Sequence, residues 1–227
     1  MRVYFVRHGE SEENVNDIYR GPAAKLTETG YAQARFVAER FTTIPIDLIL
    51  SSTMERAKET ARIISEKIGQ GVIHSDLLVE TKAPSEFLHK EYDDPEAVSV
   101  RNAWLKTRYV DEHARYSDEE NVADLKVRAK QALLFIADQK VNDCLVVSHG
   151  TFLRIILGII LEGDDFSSQM FLRMRNAFSI SNTGITMFDY NVPDSNHRHI
   201  STKESQPGDG TISGWRLITW NDHAHLG

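Results

Sequence analysis

Two short apolar runs, far apart in the chain, each lead into a histidine followed by a glycine. Residues 3–6 (VYFV) precede Arg7-His8-Gly9-Glu10, and residues 144–147 (CLVV) precede Ser148-His149-Gly150. Continuous apolar runs of this length are typical of strands that are buried on both faces of a parallel sheet. Ligands of open α/β sheets bind outside the carboxyl ends of such strands. We therefore expect both histidines at one edge of one sheet, where they could face the same phosphate.

Helical and strand patterns alternate along the chain, which predicts a three-layer α/β/α sandwich with a mostly parallel central sheet. Helices are also predicted after Gly30 and after Ser52, the second opened by a capping box of Ser52 and Glu55. Strands are predicted at residues 2–7, 46–50, 143–148, 177–182, 184–189 and 213–219, and further helices at 85–91, 95–114, 120–139 and 150–161.

The segment between Glu80 and Asn142 is charged and helix-rich, and it contains no convincing strand. We interpret it as a helical insertion, at about residues 81–142, which forms a lid over the pocket and sets specificity. A chain of 227 residues can bury a sizeable core, so residues 1–227 are expected to form a single domain. Residues 191–210 are polar and rich in Pro, Gly, Ser and Asn, which predicts a loop.

Composition argues against several classes of protein. The formal net charge of −7 is unlike that of a nucleic-acid or membrane-surface binder, although a local basic pocket is compatible with it. The N-terminus lacks the pattern of a signal peptide, and the longest apolar stretch, residues 152–161, is too short to span a bilayer. Cys144 is the only cysteine, which excludes an intrachain disulfide and suits a reducing cytoplasm. We therefore expect a cytoplasmic enzyme.

Five motifs occur in an order that resembles the histidine phosphatase superfamily, also called phosphoglycerate-mutase-like, over most of residues 1–190. A single Arg-His-Gly triplet would be weak, since short matches arise by chance, but five in order are specific. The resemblance implies a phosphomonoester hydrolase with a phosphohistidine intermediate, no metal ion and no cofactor. The motifs are VRHGES (6–11) with Asn14 behind it, LTETG (26–30), SSTMERAKETA (51–61), LLVE (77–80) and VVSHG (146–150).

Phosphoryl transfer through an enzyme nucleophile assigns a role to each strand-end residue. A neutral imidazole must attack phosphorus, and we expect His8 to do so, with nearby cations disfavouring its protonation. Arg7 and Arg56 suit the nonbridging oxygens, because a guanidinium presents a planar fork that matches phosphate. His149 is expected to add a further donor with a mainly electrostatic role.

The remaining assignments depend more on the resemblance. It implies that Glu80, in LLVE, protonates the leaving alcohol and then activates water. It also implies that Ser11 and Asn14 lie near the substrate. Arg20 and Lys82 are further candidates for substrate contacts, chosen from the sequence alone.

Each assignment has a structural alternative. Arg7 and His8 could form a salt-bridging pair at a strand end, and His149 could be a satisfied core histidine. Arg56 could pair with Glu55 or Glu59 on a solvated helix face. Two further alternatives concern other residues: Glu86 or Glu91 could be the acid in place of Glu80, and the spaced pairs His197/His199 and His223/His225 could be metal ligands, although structural or solvated roles are favoured.

Two other functions use the same pocket. A mutase would return the phosphoryl group to a bound phosphoglycerate, but members of that group carry a Tyr-Gly segment after the acidic glutamate and an arginine pair in the insertion. Here residues 81–85 read TKAPS and no Arg-Arg pair occurs, which favours hydrolysis. A non-catalytic phosphate-binding module is the second alternative. The expected partner is a small phosphorylated substrate, with no nucleic acid and no membrane, and a homodimer is left open.

Overall fold

A six-stranded sheet lies between two layers of helices in the computed structural model, which describes residues 1–16, 18–19, 21–191 and 212–227. Across the sheet the strand order is β3-β2-β4-β1-β5-β6. The first four strands are parallel, and β5 runs antiparallel to both β1 and β6. The predicted α/β class with a mostly parallel sheet is confirmed. The strands are β1 (Arg2–Arg7), β2 (Leu48–Ser52), β3 (Val72–Ser75), β4 (Asp143–Ser148), β5 (Ile185–Tyr190) and β6 (Trp215–Asp222).

Alternate side chains of the central strands pack into two separate cores on opposite faces of the sheet, because successive side chains of a strand point to opposite faces. In β1, Val3 and Phe5 face a core built with α5 and α6, whereas Tyr4 and Val6 face a core built with α2 and α3. The helices in the described ranges are α1 (Glu12–Val15), α2 (Glu28–Phe41), α3 (Glu55–Ile68), α4 (Pro95–Val110), α5 (Val122–Asp138), α6 (Gly150–Glu162) and α7 (Ser168–Ala177). None of them is both long and apolar enough to cross a membrane.

The strand predicted at 177–182 is wrong, because side chains occupy the backbone groups that a neighbouring strand would need. Helix α7 runs to Ala177, and the next residues form no regular element. Arginine side chains donate to the carbonyl oxygens of Phe178 and Ile180, and the Trp220 indole donates to that of Ser179. Apolar residues in this segment therefore pack without joining the sheet.

Two other parts of the sequence prediction fail locally. The helix predicted at 85–91 is only a 3-10 turn at Ser85–Phe87, because His89 has a φ of +66°, a left-handed conformation that interrupts a helix. Strand β3 and helix α7 were not predicted at all. Most of the predicted loop at 191–210 lies outside the described residues.

The predicted insertion contains two parts that pack differently. Helix α5 buries its apolar face in the larger core, against α6 and the sheet. Phe87, Ala97 and Val100 form a separate small cluster, with Tyr19 and Trp104 packed against it. Only the part before α5 therefore has a core of its own.

The backbone of Gly30, which ends the LTETG motif, packs directly against the loop that follows β1. A Cβ atom on Gly30 would overlap the carbonyl oxygen of Glu10, and one on Gly9 would lie 2.6 Å from the carbonyl oxygen of Gly30. Thr27 caps α2 by accepting from the Gly30 amide, and its hydroxyl donates to the Glu10 carboxylate at 2.6 Å. This close approach explains why the motif needs a glycine inside the first turn of a helix.

Gly30→Ala is predicted to destabilise the protein by about 1–3 kcal/mol, because the added methyl group overlaps backbone that cannot rotate away. Helix propensity alone would favour alanine by roughly 1 kcal/mol, so a loss of stability would report the overlap. The measurement is the free energy of unfolding in urea. Gly71→Ala is the control, since no atom lies within 4 Å of a Cβ placed there. Equal stability of the two variants would contradict this account of the motif.

Candidate active site

A cavity of about 250 Å³ opens at the carboxyl ends of β1 and β4, where the sequence predicted a ligand site. The two strands lie in register, with Arg7 opposite Ser148, so the histidines that follow them are neighbours. The ring centroids of His8 and His149 are 5.0 Å apart. Six of the predicted site residues line the cavity, namely Arg7, His8, Ser11, Asn14, Arg56 and Glu80.

Hydrogen bonds fix both ring nitrogens of His8. Its Nδ1 lies 2.7 Å from the carbonyl oxygen of Gly9, which can only accept, so Nδ1 carries the ring proton. Its Nε2 accepts from Nε of Arg56 at 3.2 Å. Burial and the nearby cations Arg56 and Arg7 lower the pKa of His8 well below its usual value. The ring is therefore neutral, with the lone pair of Nε2 in the cavity wall, as a nucleophile requires.

Arg56 is held inside the protein and does not lie on a solvated face of α3. Its side chain is buried, and Nη1 donates to the carbonyl oxygen of Gly21 at 2.8 Å. Glu55 pairs instead with Lys58, and Glu59 pairs with Arg62. The structural alternative for Arg56 is therefore wrong.

The predicted capping box at the start of α3 is absent, because Ser52 has a different partner. Helix α3 begins after Met54, and the hydroxyl of Ser52 accepts from the Met54 amide at 3.1 Å and lies 2.8 Å from Nε2 of His149. Burial and Arg56 lower the pKa of His149 well below its usual value, so this ring is also neutral. The Ser52 proton can then be donated to Nε2, which leaves the ring proton on Nδ1. That Nδ1 is buried and has no hydrogen-bond partner.

Arg7 also presents an unsatisfied donor. Its Nη1 donates to the carbonyl oxygen of Ile180 at 2.6 Å, whereas its Nε is buried without a partner. Burial lowers the pKa of Arg7 to about 10, and the carboxylate of Glu80 partly offsets this effect. Buried donors without partners cost free energy, which an anion entering the cavity would recover.

The carboxylate of Glu80 is fixed by three backbone amides. It accepts from the amides of Thr81, Thr151 and Phe152 at 2.8, 3.0 and 2.9 Å, the last two at the amino end of α6. The alternative acids Glu86 and Glu91 are exposed and do not line the cavity.

The weaker substrate candidates are placed differently. The Asn14 Oδ1 atom accepts from the backbone amide of Ser11 at 3.1 Å and from Asn182 at 3.2 Å, so both predicted residues are anchored beside His8. Lys82 lines a neighbouring cavity, where its ammonium pairs with Asp118 at 2.9 Å. Arg20 lies outside the described residues.

Sequence reasoning missed several residues that line the same cavity. Arg101 and Trp104 lie three positions apart on one face of α4, a spacing that could have identified them. Trp104 and Tyr19 both pack against Phe87, with ring centroids 5.8 and 6.0 Å away. The missed residues include Glu13, Tyr19, Tyr92, Arg101 and Trp104.

Within the described ranges, no group of three His, Cys, Asp or Glu side chains could hold a metal ion. His225 has other partners, with Nε2 3.0 Å from the hydroxyl of Thr183 and Nδ1 3.3 Å from Arg40. His223 is engaged with the carbonyl oxygen of Asn221. The other spaced pair, His197/His199, lies outside the described residues.

The sequence matches one known family along most of its length. Residues 3–198 match the histidine phosphatase superfamily (branch 1). The chain belongs to this superfamily. It is 30% identical to a protein named Probable phosphoglycerate mutase GpmB from Enterobacter sp. (strain 638), over 100% of this chain and 95% of that protein. The chain is therefore an enzyme of a superfamily whose named members include mutases and phosphatases.

Solved structures share this fold at low sequence identity. The alpha-ribazole phosphatase from Shigella flexneri superposes with a TM-score of 0.75 at 21% identity, covering 98% of this chain and 96% of that one. The phosphoserine phosphatase from Entamoeba histolytica, in complex with 3-phosphoglyceric acid, gives a TM-score of 0.73 at 22% identity, covering 100% and 99% of the two chains.

The depressed pKa of His8 predicts a pH-dependent stability. Below about pH 6.5 the unfolded chain binds a proton at this residue that the folded protein does not bind, so stability falls as pH falls. The limiting slope is on the order of 1 kcal/mol per pH unit for each buried imidazole. His8→Asn should therefore lose stability less steeply than the wild type between about pH 7 and pH 5 in urea unfolding experiments. His74→Asn, at an exposed position of β3, is the control, and equal slopes for His8→Asn and wild type would contradict the prediction.

Proposed function

We propose that the protein is a phosphomonoester hydrolase that acts through a phosphohistidine on His8. The observation that carries this proposal is the neutral ring of His8, whose Nε2 lone pair faces the guanidinium of Arg56 in a cavity at the end of β1. In the first step Nε–H of Arg56 moves from Nε2 to a phosphoryl oxygen, the freed lone pair of Nε2 attacks phosphorus, and the bond from phosphorus to the ester oxygen breaks. The guanidinium of Arg56, which together with burial lowers the pKa of His8, then holds the transferred group.

The unpartnered donors supply the electrostatic stabilisation. Nε of Arg7 and Nδ1 of His149 have no hydrogen-bond partner among the described residues, and both are buried close to His8. We assign them, with Arg56, to the nonbridging oxygens of the phosphoryl group. Because these donors are fixed before substrate binds, little reorganisation opposes the reaction. Each such donor typically increases the rate by roughly a hundredfold to a thousandfold.

Glu80 is assigned as general acid and then as general base. The proton that a monoanionic ester brings into the cavity passes through Glu80 to the departing ester oxygen. In the second step the Glu80 carboxylate takes a proton from the water that attacks phosphohistidine, and this proton leaves with orthophosphate. Orthophosphate and free His8 result, so atoms and protons balance. The three amides that hold Glu80 support this assignment, because they fix the position of the carboxyl group at the cavity wall. No metal ion and no cofactor is assigned to either step.

A phosphoglycerate mutase is the second candidate, favoured by the name of the relative that is 30% identical. The segment TKAPS follows Glu80, where the family resemblance implies a Tyr-Gly segment for a mutase, and this difference favours hydrolysis. Release of orthophosphate and interconversion of phosphoglycerates, measured on the same preparation, separate the two. A panel of phosphorylated metabolites ranked by kcat/KM would then identify the substrate, for which we propose a small phosphate ester.

Location belongs to the same proposal. The only cysteine, Cys144, is a free thiol buried in β4, which supports a role in the reducing cytoplasm.

His8→Ala is predicted to abolish turnover, because no other nucleophile is assigned in the cavity. Trapping with radiolabelled substrate should show an acid-labile, base-stable phosphoenzyme in the wild type and none in the variant. His74→Ala, at an exposed histidine on β3, is the matched control and should retain the label. Label that survives acid, or that persists in His8→Ala, would require another nucleophile.

Glu80→Gln is predicted to slow phosphoenzyme formation from alkyl phosphates by about 100-fold or more, and from nitrophenyl phosphate far less. The reason is that only a basic leaving group needs a proton. Single-turnover rates for both esters are the measurement, and phosphoenzyme should accumulate with the nitrophenyl ester. Glu86→Gln, at an exposed glutamate outside the cavity, is the control. Equal losses for the two esters would exclude Glu80 as the acid.

A further inference from the structure

A second carboxyl group lies in the cavity beside the phosphate-binding arginine and has no role in the steps above. Glu13, on α1, lines the same cavity as His8, Arg56 and Glu80. Only 13% of its side chain is exposed, and its Oε2 atom is buried without a hydrogen-bond partner. A buried carboxylate oxygen without a donor is unfavourable, whereas the protonated group could donate a hydrogen bond into the cavity.

The contact with Arg56 does not provide the hydrogen bond that the buried Oε2 atom of Glu13 lacks. Nη1 of Arg56 lies 3.5 Å from Oε2 of Glu13, but that nitrogen already donates to the carbonyl oxygen of Gly21 at 2.8 Å. Glu80 and the buried phenol of Tyr19 also interact with Glu13. The other charged or titratable residues that line the same cavity are Arg7, His8, Tyr92 and Arg101. Burial, and secondarily Glu80, raise the pKa of Glu13, while Arg56 opposes the rise.

A bound phosphoryl group would change the balance around Glu13. Its oxygens would contact the guanidinium of Arg56, which is the only cation within ion-pair distance of Glu13 in the described part of the chain. The phosphoryl group therefore brings like charge to within a few ångströms of the Glu13 carboxylate and competes with it for Arg56. Like charges at this range favour the neutral form of a carboxyl group.

We propose that Glu13 couples phosphoryl binding to the uptake of one proton. The dianion enters together with a proton from solvent, which lies between Oε2 of Glu13 and a phosphoryl oxygen in the complex. The anion therefore binds more tightly when Glu13 is protonated than when it is ionised. Glu13 thereby sets the pH range over which the pocket holds an anion. This inference rests on the proposed phosphate pocket, but not on hydrolysis.

The sign of the pH dependence follows from this coupling. Where free Glu13 is ionised and bound Glu13 is protonated, affinity for a dianion falls up to about tenfold for each unit of rising pH. At lower pH, Glu13 already carries its proton in the free protein and affinity levels off. In the free protein His8 and His149 carry no extra proton in this range, because burial lowers the pKa of both rings well below the usual value.

Sulfate is the probe, because it stays a dianion throughout the pH range of the assay and is not turned over. Its affinity is measured by calorimetry between about pH 5 and pH 8, in two buffers of different ionisation enthalpy, which counts the protons taken up. Glu13→Gln replaces the carboxyl group with a permanently neutral isostere. Glu55→Gln is the matched control, since Glu55 precedes Arg56 in α3 but its side chain is 52% exposed and lies outside the cavity.

The wild type and Glu55→Gln are expected to take up as much as about one proton per sulfate and to lose affinity as pH rises. Glu13→Gln is expected to take up nearly none and to bind sulfate about tenfold or more tightly than the wild type at the high-pH end. Parallel pH profiles for wild type and Glu13→Gln, or weaker binding by the variant at every pH, would overturn the inference while leaving the proposed hydrolysis intact. Failure of the wild type to bind sulfate at any pH would overturn the inference, whereas the hydrolysis is tested separately by release of orthophosphate. Proton-coupled binding without hydrolysis of any ester would overturn only the proposed function.

Discussion

The hydrogen bond from Nε of Arg56 to Nε2 of His8 is the contact on which the site depends, because it orients the ring and, together with burial, lowers the pKa of His8 so that the ring is neutral. This hydrogen bond also requires the start of α3, which carries Arg56, to be held in a fixed position beside the end of β1. The Gly9 amide donates to the hydroxyl of Thr60 at 3.1 Å, and that hydroxyl donates to the carbonyl oxygen of Arg56 at 2.7 Å. The first turns of α3 are thereby fixed to the end of β1. Gly30 completes this junction by allowing α2 to touch the same loop.

The parallel register of β1 and β4 turns two distant sequence motifs into one site. Because the two strands end at the same level of the sheet, the rings of His8 and His149 are neighbours although their motifs are far apart in the sequence. Burial on both faces of these strands holds the register, because a slip of one residue would exchange the two cores. The buried polar groups at the strand ends are therefore supported by the apolar packing behind them.

The sequence predicts a residue well where its chemistry and its position at the end of a strand or helix both restrict the residue type. It predicts poorly where a residue's structure depends on hydrogen-bond partners that are distant in the sequence. Arg7, His8 and Arg56 were predictable because each lies where a strand ends or a helix begins. The strand at 177–182 was predicted wrongly because its apolar residues follow a pattern typical of a strand. Side chains from other elements donate to its backbone carbonyl oxygens, so this segment cannot join the sheet. Ser52 was misassigned for the same reason, since its true partner, His149, lies 97 positions away.

Glu13 was missed because its charge has meaning only in the folded cavity. In the described part of the chain three guanidinium groups, of Arg7, Arg56 and Arg101, and two carboxyl groups, of Glu13 and Glu80, line that cavity. With both carboxyl groups ionised and the histidines neutral, the lining carries a formal excess of one positive charge. A dianion reverses this to one negative charge in a buried space, which is costly, and one proton restores neutrality. An acidic lining residue therefore need not oppose phosphate binding, because protonation lets a pocket with few cations hold a dianion while both histidines stay neutral.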